Sequence, residues 1–311
     1  MSFKYVYGPV PSRRLGRSIG VSPIPSKTCN YSCIYCQLGK TTRMTNTRQE
    51  FFPVEEILRE VSEIPKDEAD VVTIVGEGEP TLYSKLGELI SGIRRFVNLP
   101  VAVITNGALL YEPEVREALS LADIVLPSLD AWGEKSFRLI NRPHRSLNFK
   151  QIVEGLKTFV KGFKGQVWLE IMLMKGINDN SEALLEIEKI VRDISPNRVY
   201  LNVPVRPPAK PWVKPPDTDT VKKAAEILKA IALDFLIVGN YKTASRNPVD
   251  DVVSIIKRHP MTEVEVKTLL CKLSSNPEKL VEELREDPRV VLKDWRSVTF
   301  YCYKPEKRSD R

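Results

Sequence analysis

Cys29, Cys33 and Cys36 form a C-x3-C-x2-C run, three of the five cysteines of a 311-residue chain inside eight positions. A disulfide or a zinc knuckle is the plain reading of clustered thiols. Structural zinc takes four ligands, usually from paired C-x2-C hooks, and the two histidines, His144 and His259, are both far away in sequence. Three thiolates suit a cubane iron–sulfur cluster with one iron left open to chelate a small molecule. Cys271 and Cys302 fall in a predicted helix and strand and read as small buried residues.

Other polar residues stand at the ends of apolar runs. Gly76-Glu77-Gly78-Glu79-Pro80-Thr81 follows Val71–Val75. It falls short of the dinucleotide fingerprint, because Thr81 replaces the third glycine, Pro80 intrudes and two acids would repel a pyrophosphate. Strand-end acceptors of this kind suit a bound cation instead. Thr105-Asn106-Gly107 and Ser128-Leu129-Asp130 close the next two apolar runs. Ser128 or Asp130 could hold ribose hydroxyls, or Asp130 could cap the next helix. Glu170 is the lone charge in Val167–Met174, so it should face a lumen and a basic partner or ligand. Asn202 is its uncharged counterpart in the following run. Ahead of the cysteines, Arg13, Arg14 and Arg17 stand among glycines and prolines. They suit a phosphate or carboxylate, or form a solvated arm.

The elements that must position these residues alternate regularly. Strands are predicted at 71–75, 101–105, 124–128, 166–174, 198–205 and 235–238, and helices at 85–96, 114–121, 149–160, 182–194 and 220–233. Continuous apolar strands argue for a parallel sheet buried on both faces, and the alternation for an α/β barrel or open sheet. Residues 204–216 hold six prolines and form a stiff loop, a candidate lid with Trp212 as an apolar or stacking element. From residue 245 the rhythm changes to three helices, with a capping box at Thr262–Glu265 and a cap and N1 proline at Asn276-Pro277. A hairpin follows, giving a winged-helix-like α+β module. The expected organisation is 1–244, 245–304 and a disordered tail at 305–311.

The cysteine run, with Tyr35 just before its last cysteine, resembles the signature of the radical S-adenosylmethionine (SAM) superfamily. The Gly76–Thr81 segment resembles that family's "GGEP" motif, with Glu77 in place of a glycine, and Thr105-Asn106-Gly107 its "TNG" motif. The resemblance implies a partial (β/α)6 barrel over roughly residues 15–240, with the chemistry at the carboxyl ends of its strands. It implies a [4Fe-4S] cluster on Cys29, Cys33 and Cys36, with the open iron holding the amino and carboxylate groups of SAM. Reductive cleavage of SAM would release a 5′-deoxyadenosyl radical. The cofactor residues so implied are Tyr35 beside the adenine, Glu77, Gly78 and Glu79 with Thr105 and Asn106 at the ammonium, Ser128 or Asp130 at the ribose, and Glu170. An external donor of ferredoxin or flavodoxin type would supply the electron. The chain looks closest to stand-alone radical SAM proteins related to the tRNA wyosine-base synthase, but no cysteine precedes Cys29 to carry that enzyme's second cluster. Another substrate is expected.

The net charge of +7 is concentrated at the front, where residues 1–50 hold eight Lys/Arg against one acid. This charge offsets an anionic cluster or attracts a phosphate-bearing substrate such as an RNA base. A protein or peptide docked on the C-terminal module is the second reading. An iron–sulfur sensor that binds DNA without turnover is the third, weakened by that module's near-neutral charge. No apolar run is long enough to span a membrane and no leader is evident, so a cytoplasmic protein with reduced cysteines is expected.

Overall fold

The computed structural model describes residues 3–66, 69–233 and 247–304. Eight strands form one sheet in the order of the chain: Val6–Ser12, Gly16–Val21, Val71–Ile74, Val101–Thr105, Ile124–Pro127, Gln166–Met172, Arg198–Asn202 and Ile231–Ala232. The first two are an antiparallel hairpin, and every later pair is parallel. Parallel neighbours need crossovers, and helices supply them: Val54–Glu63, Leu86–Phe96, Pro113–Leu119, Glu134–Ile140 with Phe149–Gly162, Ser181–Ile194, and Thr218–Leu228. Six strand–helix units between Gly16 and Leu228 make the expected partial (β/α)6 barrel.

Side chains alternate across each strand, and both faces are used. Val72, Ile74, Val101, Val103, Val125, Val167, Leu169 and Leu201 pack outward in the main core with the helices. On the inner face Val71, Ala102, Leu126, Trp168 and Tyr200 gather with Leu15 into a separate apolar plug. One step further along the same faces come Thr73, Ile104, Ser128, Glu170 and Asn202. The inner face therefore changes from apolar to polar toward the strands' carboxyl ends.

Two helices went unread in the sequence. Val54–Glu63 carries apolar residues at helical spacing but has Pro53 and no capping side chain at its start, so its beginning is unmarked. Glu134–Ile140 spans only seven residues after Gly133, too short for a periodic pattern. The basic head is not a solvated arm, and Arg13 and Arg14 sit in the turn between its two strands. Residues Val6–Ser12 and Gly16–Val21 extend the sheet. The strand expected to reach residue 205 stops at Asn202, where the proline-rich segment takes over and its missing N–H groups end the ladder.

The C-terminal part is an α+β module: helices Pro248–Ile256, Glu263–Leu273 and Pro277–Glu286, and an antiparallel sheet in the order Met261–Thr262, Val298–Tyr303, Val290–Trp295. The Thr262–Glu265 capping box and the Asn276 cap are formed as expected. Its core includes Tyr7 and Val10 of the first strand, so the module packs on the edge of the barrel. The Phe235–Val238 strand, the boundary at residue 244 and the tail at 305–311 lie outside the described residues. Among the described residues no helix is long and apolar enough to cross a membrane.

Candidate active site

The cysteine loop follows a two-residue strand, Thr28–Cys29, and all three cysteines are half-buried. Polar hydrogens are aimed at the sulfurs. The Tyr31 N–H and the Asn106 amide donate to Cys29 Sγ at 3.3 and 3.7 Å, and the Asn141 amide donates to Cys33 Sγ at 3.6 Å. Burial pushes all three thiols up, and Cys36 adds to the effect at Cys29 and Cys33. Among the described residues no three His, Cys, Asp or Glu side chains converge on a point for one ion. A cubane takes one thiolate per iron, at separate corners, so three neighbouring thiols with N–H donors at their sulfurs fit a cluster. Its binding would expel the thiol protons that burial retains. Neither histidine ring is spare: His144 pairs with Ser146 Oγ at 2.8 Å and His259 with Arg206.

Glu79 stitches two strand ends together. Its Oε1 accepts from the Thr81 N–H at 3.0 Å and from the hydroxyls of Thr81 and Thr105 at 2.6 Å each. Its Oε2 accepts from the Asn106 N–H at 2.7 Å. Burial raises the Glu79 carboxyl, and the hydroxyls and N–H groups oppose that rise. Asn106 in turn donates to Asn30 Oδ1 at 2.7 Å, which ties this corner to the cysteine loop. Gly78 lies against that loop as well, since a Cβ on it would stand 1.6 Å from the Thr28 carbonyl oxygen. Only glycine lets the two backbones approach so closely.

The two acids of this turn part company. Glu77 is turned to the C-terminal module, where Oε1 meets Arg258 at 3.0 Å and Lys257 at 3.3 Å. The sequence placed Glu77 at the cofactor; the structure gives it two cations of the module.

Asp130 is 2% exposed. Its Oδ2 accepts from Tyr35 Oη at 2.6 Å and Asn141 Nδ2 at 2.8 Å, and its Oδ1 from the Met172 N–H at 2.9 Å. It caps no helix; it fixes Tyr35 and the Asn141 amide that reaches Cys33. Ser128 stays half-buried and pairs through its backbone with Glu170. Of the two ribose candidates, Ser128 is the one whose side chain is not engaged among the described residues.

Inside the barrel a cavity of about 340 Å³ runs from Tyr35 and Cys36 of the cysteine loop to Arg13 and Arg14 of the first hairpin. Glu170 faces it and has the basic partner expected of it: Arg14 forms an ion pair with its carboxylate. Asn202 donates to Glu170 at 3.3 Å and accepts from Arg13 at 2.8 Å. The head thus reaches across to the far strands of the open sheet. Arg17 is not with them, being bound to Asp70 on the surface at 3.1 Å. Arg48 likewise meets Glu114 at 3.2 Å, so part of the N-terminal charge is already paired. The proline-rich segment lines the cavity at Val203–Arg206 and is pinned to the cysteine loop by a Lys210 N–H bond to the Ile34 carbonyl at 3.0 Å. Trp212 is 52% exposed, with no stacking partner among the described residues.

Sequence reasoning passed over Asn30, Asn141, Arg206 and Arg258. Asparagine in a loop reads as a turn former. The Lys257-Arg258-His259 run was legible as charge, but its partner Glu77 lies 181 positions away.

Residues 24–187 match the radical SAM superfamily model, and the chain belongs to that superfamily. It is an enzyme of the class that works with a [4Fe-4S] cluster and SAM. Among curated relatives it is similar to a UPF0026 protein of Methanocaldococcus jannaschii, 34% identical over 95% of this chain and 94% of the relative. A protein of Brachyspira hyodysenteriae named GTPase Obg is 37% identical over 92% of this chain, which spans 43% of that relative's length. Among solved structures, Streptococcus suis SuiB bound to precursor peptide SuiA matches 68% of this chain and 44% of its own, at TM-score 0.52 and 16% identity, a likeness of fold.

Proposed function

We propose that this radical SAM enzyme acts on a phosphate-bearing substrate, an RNA base in the first instance, admitted to the barrel cavity beside Cys36. Cys29, Cys33 and Cys36 hold the cluster. Asn106 and Glu79 order the strand ends at the methionine moiety, Ser128 meets the ribose, and Tyr35, fixed by Asp130, flanks the adenine. Held there, the cluster would supply the one-electron reduction of SAM on which the radical chemistry depends. The protein's part is to hold these groups in a closed, dry barrel. The apolar plug closes one end, while the first hairpin and the C-terminal module close the open edge. The observation that carries the substrate reading is the placement of Arg13 and Arg206 on the wall of a cavity that also reaches Cys36. We take the protein to be cytoplasmic, reduced by a ferredoxin- or flavodoxin-type donor, with a winged-helix-like C-terminal module.

The test is anaerobic. The cluster is reconstituted, dithionite and SAM are added, and 5′-deoxyadenosine is quantified with and without bulk tRNA. Stimulation that RNase abolishes supports an RNA substrate. Product formed indifferently to RNA removes RNA and turns the search to small phosphorylated molecules.

A further inference from the structure

Four arginines, Arg13, Arg14, Arg206 and Arg258, reach the cavity, against the carboxylates of Glu170 and Glu265. Arg14 is paired with Glu170, and Arg258 with Glu77. Glu265 is the third-position partner in the Thr262 capping box, accepting from the Thr262 N–H at 2.7 Å and its hydroxyl at 2.9 Å. Arg13 has no carboxylate partner among the described residues. Its Nη2 donates to the Asn202 amide oxygen at 2.8 Å, while its Nη1 is buried with no partner among the described residues. A guanidinium keeps its charge at ordinary pH and presents a planar fork of donors. Leaving one side of that fork buried and unmet is costly.

The neighbours of this nitrogen favour an anion as its partner. Burial and the charge of Arg206 pull Arg13 down to about 10. Arg206 is anchored through its Nε to the Pro260 carbonyl at 2.9 Å and pairs with the His259 ring. Burial, then the charges of Arg206, Arg13 and Arg14, hold His259 well below its ordinary value, so the ring is neutral and accepts from Arg206. Around Arg13, then, stand a second guanidinium, a neutral imidazole and the amide oxygen of Asn202, with the Arg14–Glu170 ion pair just beyond that amide. An oxyanion would satisfy the free nitrogen and ease the repulsion between the two guanidinium groups. A bidentate guanidinium–phosphate contact has the required geometry.

We propose that Arg13, backed by Arg206, forms an oxyanion subsite that receives the phosphate group of the substrate. The proposal rests on the radical SAM reading and deepens it, naming the residues that anchor the substrate while its reacting carbon extends toward Tyr35 and Cys36. At about 340 Å³ the cavity is at the small end of ordinary ligand pockets of roughly 300–1,000 Å³. It suits a single nucleotide-sized group, so an RNA would have to insert one extruded nucleotide. The same oxyanion chemistry is also offered by the carboxylate of SAM, and the experiment separates the two sources.

Inorganic phosphate and SAM are titrated separately by calorimetry into anaerobically reconstituted full-length protein: wild type, Arg13→Ala, Arg13→Gln and Arg13→Lys. Gln keeps a donor for Asn202 and guards against a folding defect in the Ala variant. The expected result is phosphate binding that weakens by about tenfold or more in Arg13→Ala and Arg13→Gln and less in Arg13→Lys, with SAM affinity held within about twofold. With two histidines in the chain, a His144→Gln background lets NMR follow the His259 ring alone. Phosphate should raise its pKa in the Arg13 form and not in the Arg13→Gln form. Absence of phosphate binding, or binding indifferent to Arg13, overturns the subsite. A parallel loss of SAM affinity gives Arg13 to the cofactor and also overturns it. Failure of the wild type to hold a cluster or bind SAM would sink the enzyme reading itself, and the phosphate titration reports separately.

Discussion

Glu77 and Arg258 meet at 3.0 Å with side chains 3% and 5% exposed, joining the turn after Val71–Ile74 to the C-terminal module. Arg258 also donates to the Lys4 carbonyl at 2.8 Å and lies 4.7 Å over the Tyr7 ring. It links turn, hairpin and module. The module is therefore coupled to the turn that carries Glu79, on the strand that leads into the cavity.

Arg258→Ala leaves Glu77 with Lys257 alone. Breaking one side of a buried ion pair costs about 3–5 kcal/mol. Denaturant titration should show that loss, and Arg258→Lys should recover part of it. SAM affinity should fall in Arg258→Ala as the turn loosens. A melting curve indistinguishable from wild type would show that the junction contributes little.

Gly78→Ala places a methyl group 1.6 Å from the Thr28 carbonyl oxygen. Backbone on both sides must move, and the Glu79 N–H bond to that same oxygen, at 3.1 Å, is lost. The expected outcome is a fold retained by circular dichroism with SAM affinity reduced by about tenfold or more. Unchanged SAM affinity would remove this turn from the cofactor site.

The barrel was legible in the sequence because parallel strands buried on both faces are apolar throughout: Val101–Thr105 was read with the bounds it has, and Val71–Ile74 and Ile124–Pro127 to within one residue. The cysteine run was legible because thiols so spaced have few other uses. Glu77, Asp130 and Arg13 were visible as polar residues near strand ends, but their partners Arg258, Tyr35 and Asn202 come from remote elements. Periodicity says which face a residue is on; it does not say which distant side chain meets it there. The first hairpin carried no strand expectation, because its glycines, prolines and paired arginines break any alternating pattern, a bulge separates Tyr7 from Val10, and both pack into the core of the remote module.

His259 makes stability depend on pH with a defined sign. Burial, with Arg206 next, holds its folded pKa well below the ordinary 6.5. Below pH 6.5 the unfolded chain binds a proton that the folded chain refuses, so stability present above that pH is lost as pH falls. The slope approaches about 1.4 kcal/mol per pH unit for one proton. Urea titrations between pH 7.5 and about 5 should show this decline, set against the opposite contribution of the buried, upward-shifted Glu79 and Asp130 carboxyls, and His259→Gln should remove the decline. An equal slope in His259→Gln would assign the dependence to other groups.

The most direct measurement is made on the anaerobically reconstituted protein: iron and sulfide per chain, then 5′-deoxyadenosine formed from SAM after dithionite reduction. The account predicts a [4Fe-4S] cluster and SAM-dependent product in the wild type, and neither in the variant with Cys29, Cys33 and Cys36 all changed to alanine. A cluster that persists in that variant, or an intact and reducible wild-type cluster that yields no 5′-deoxyadenosine, would contradict it.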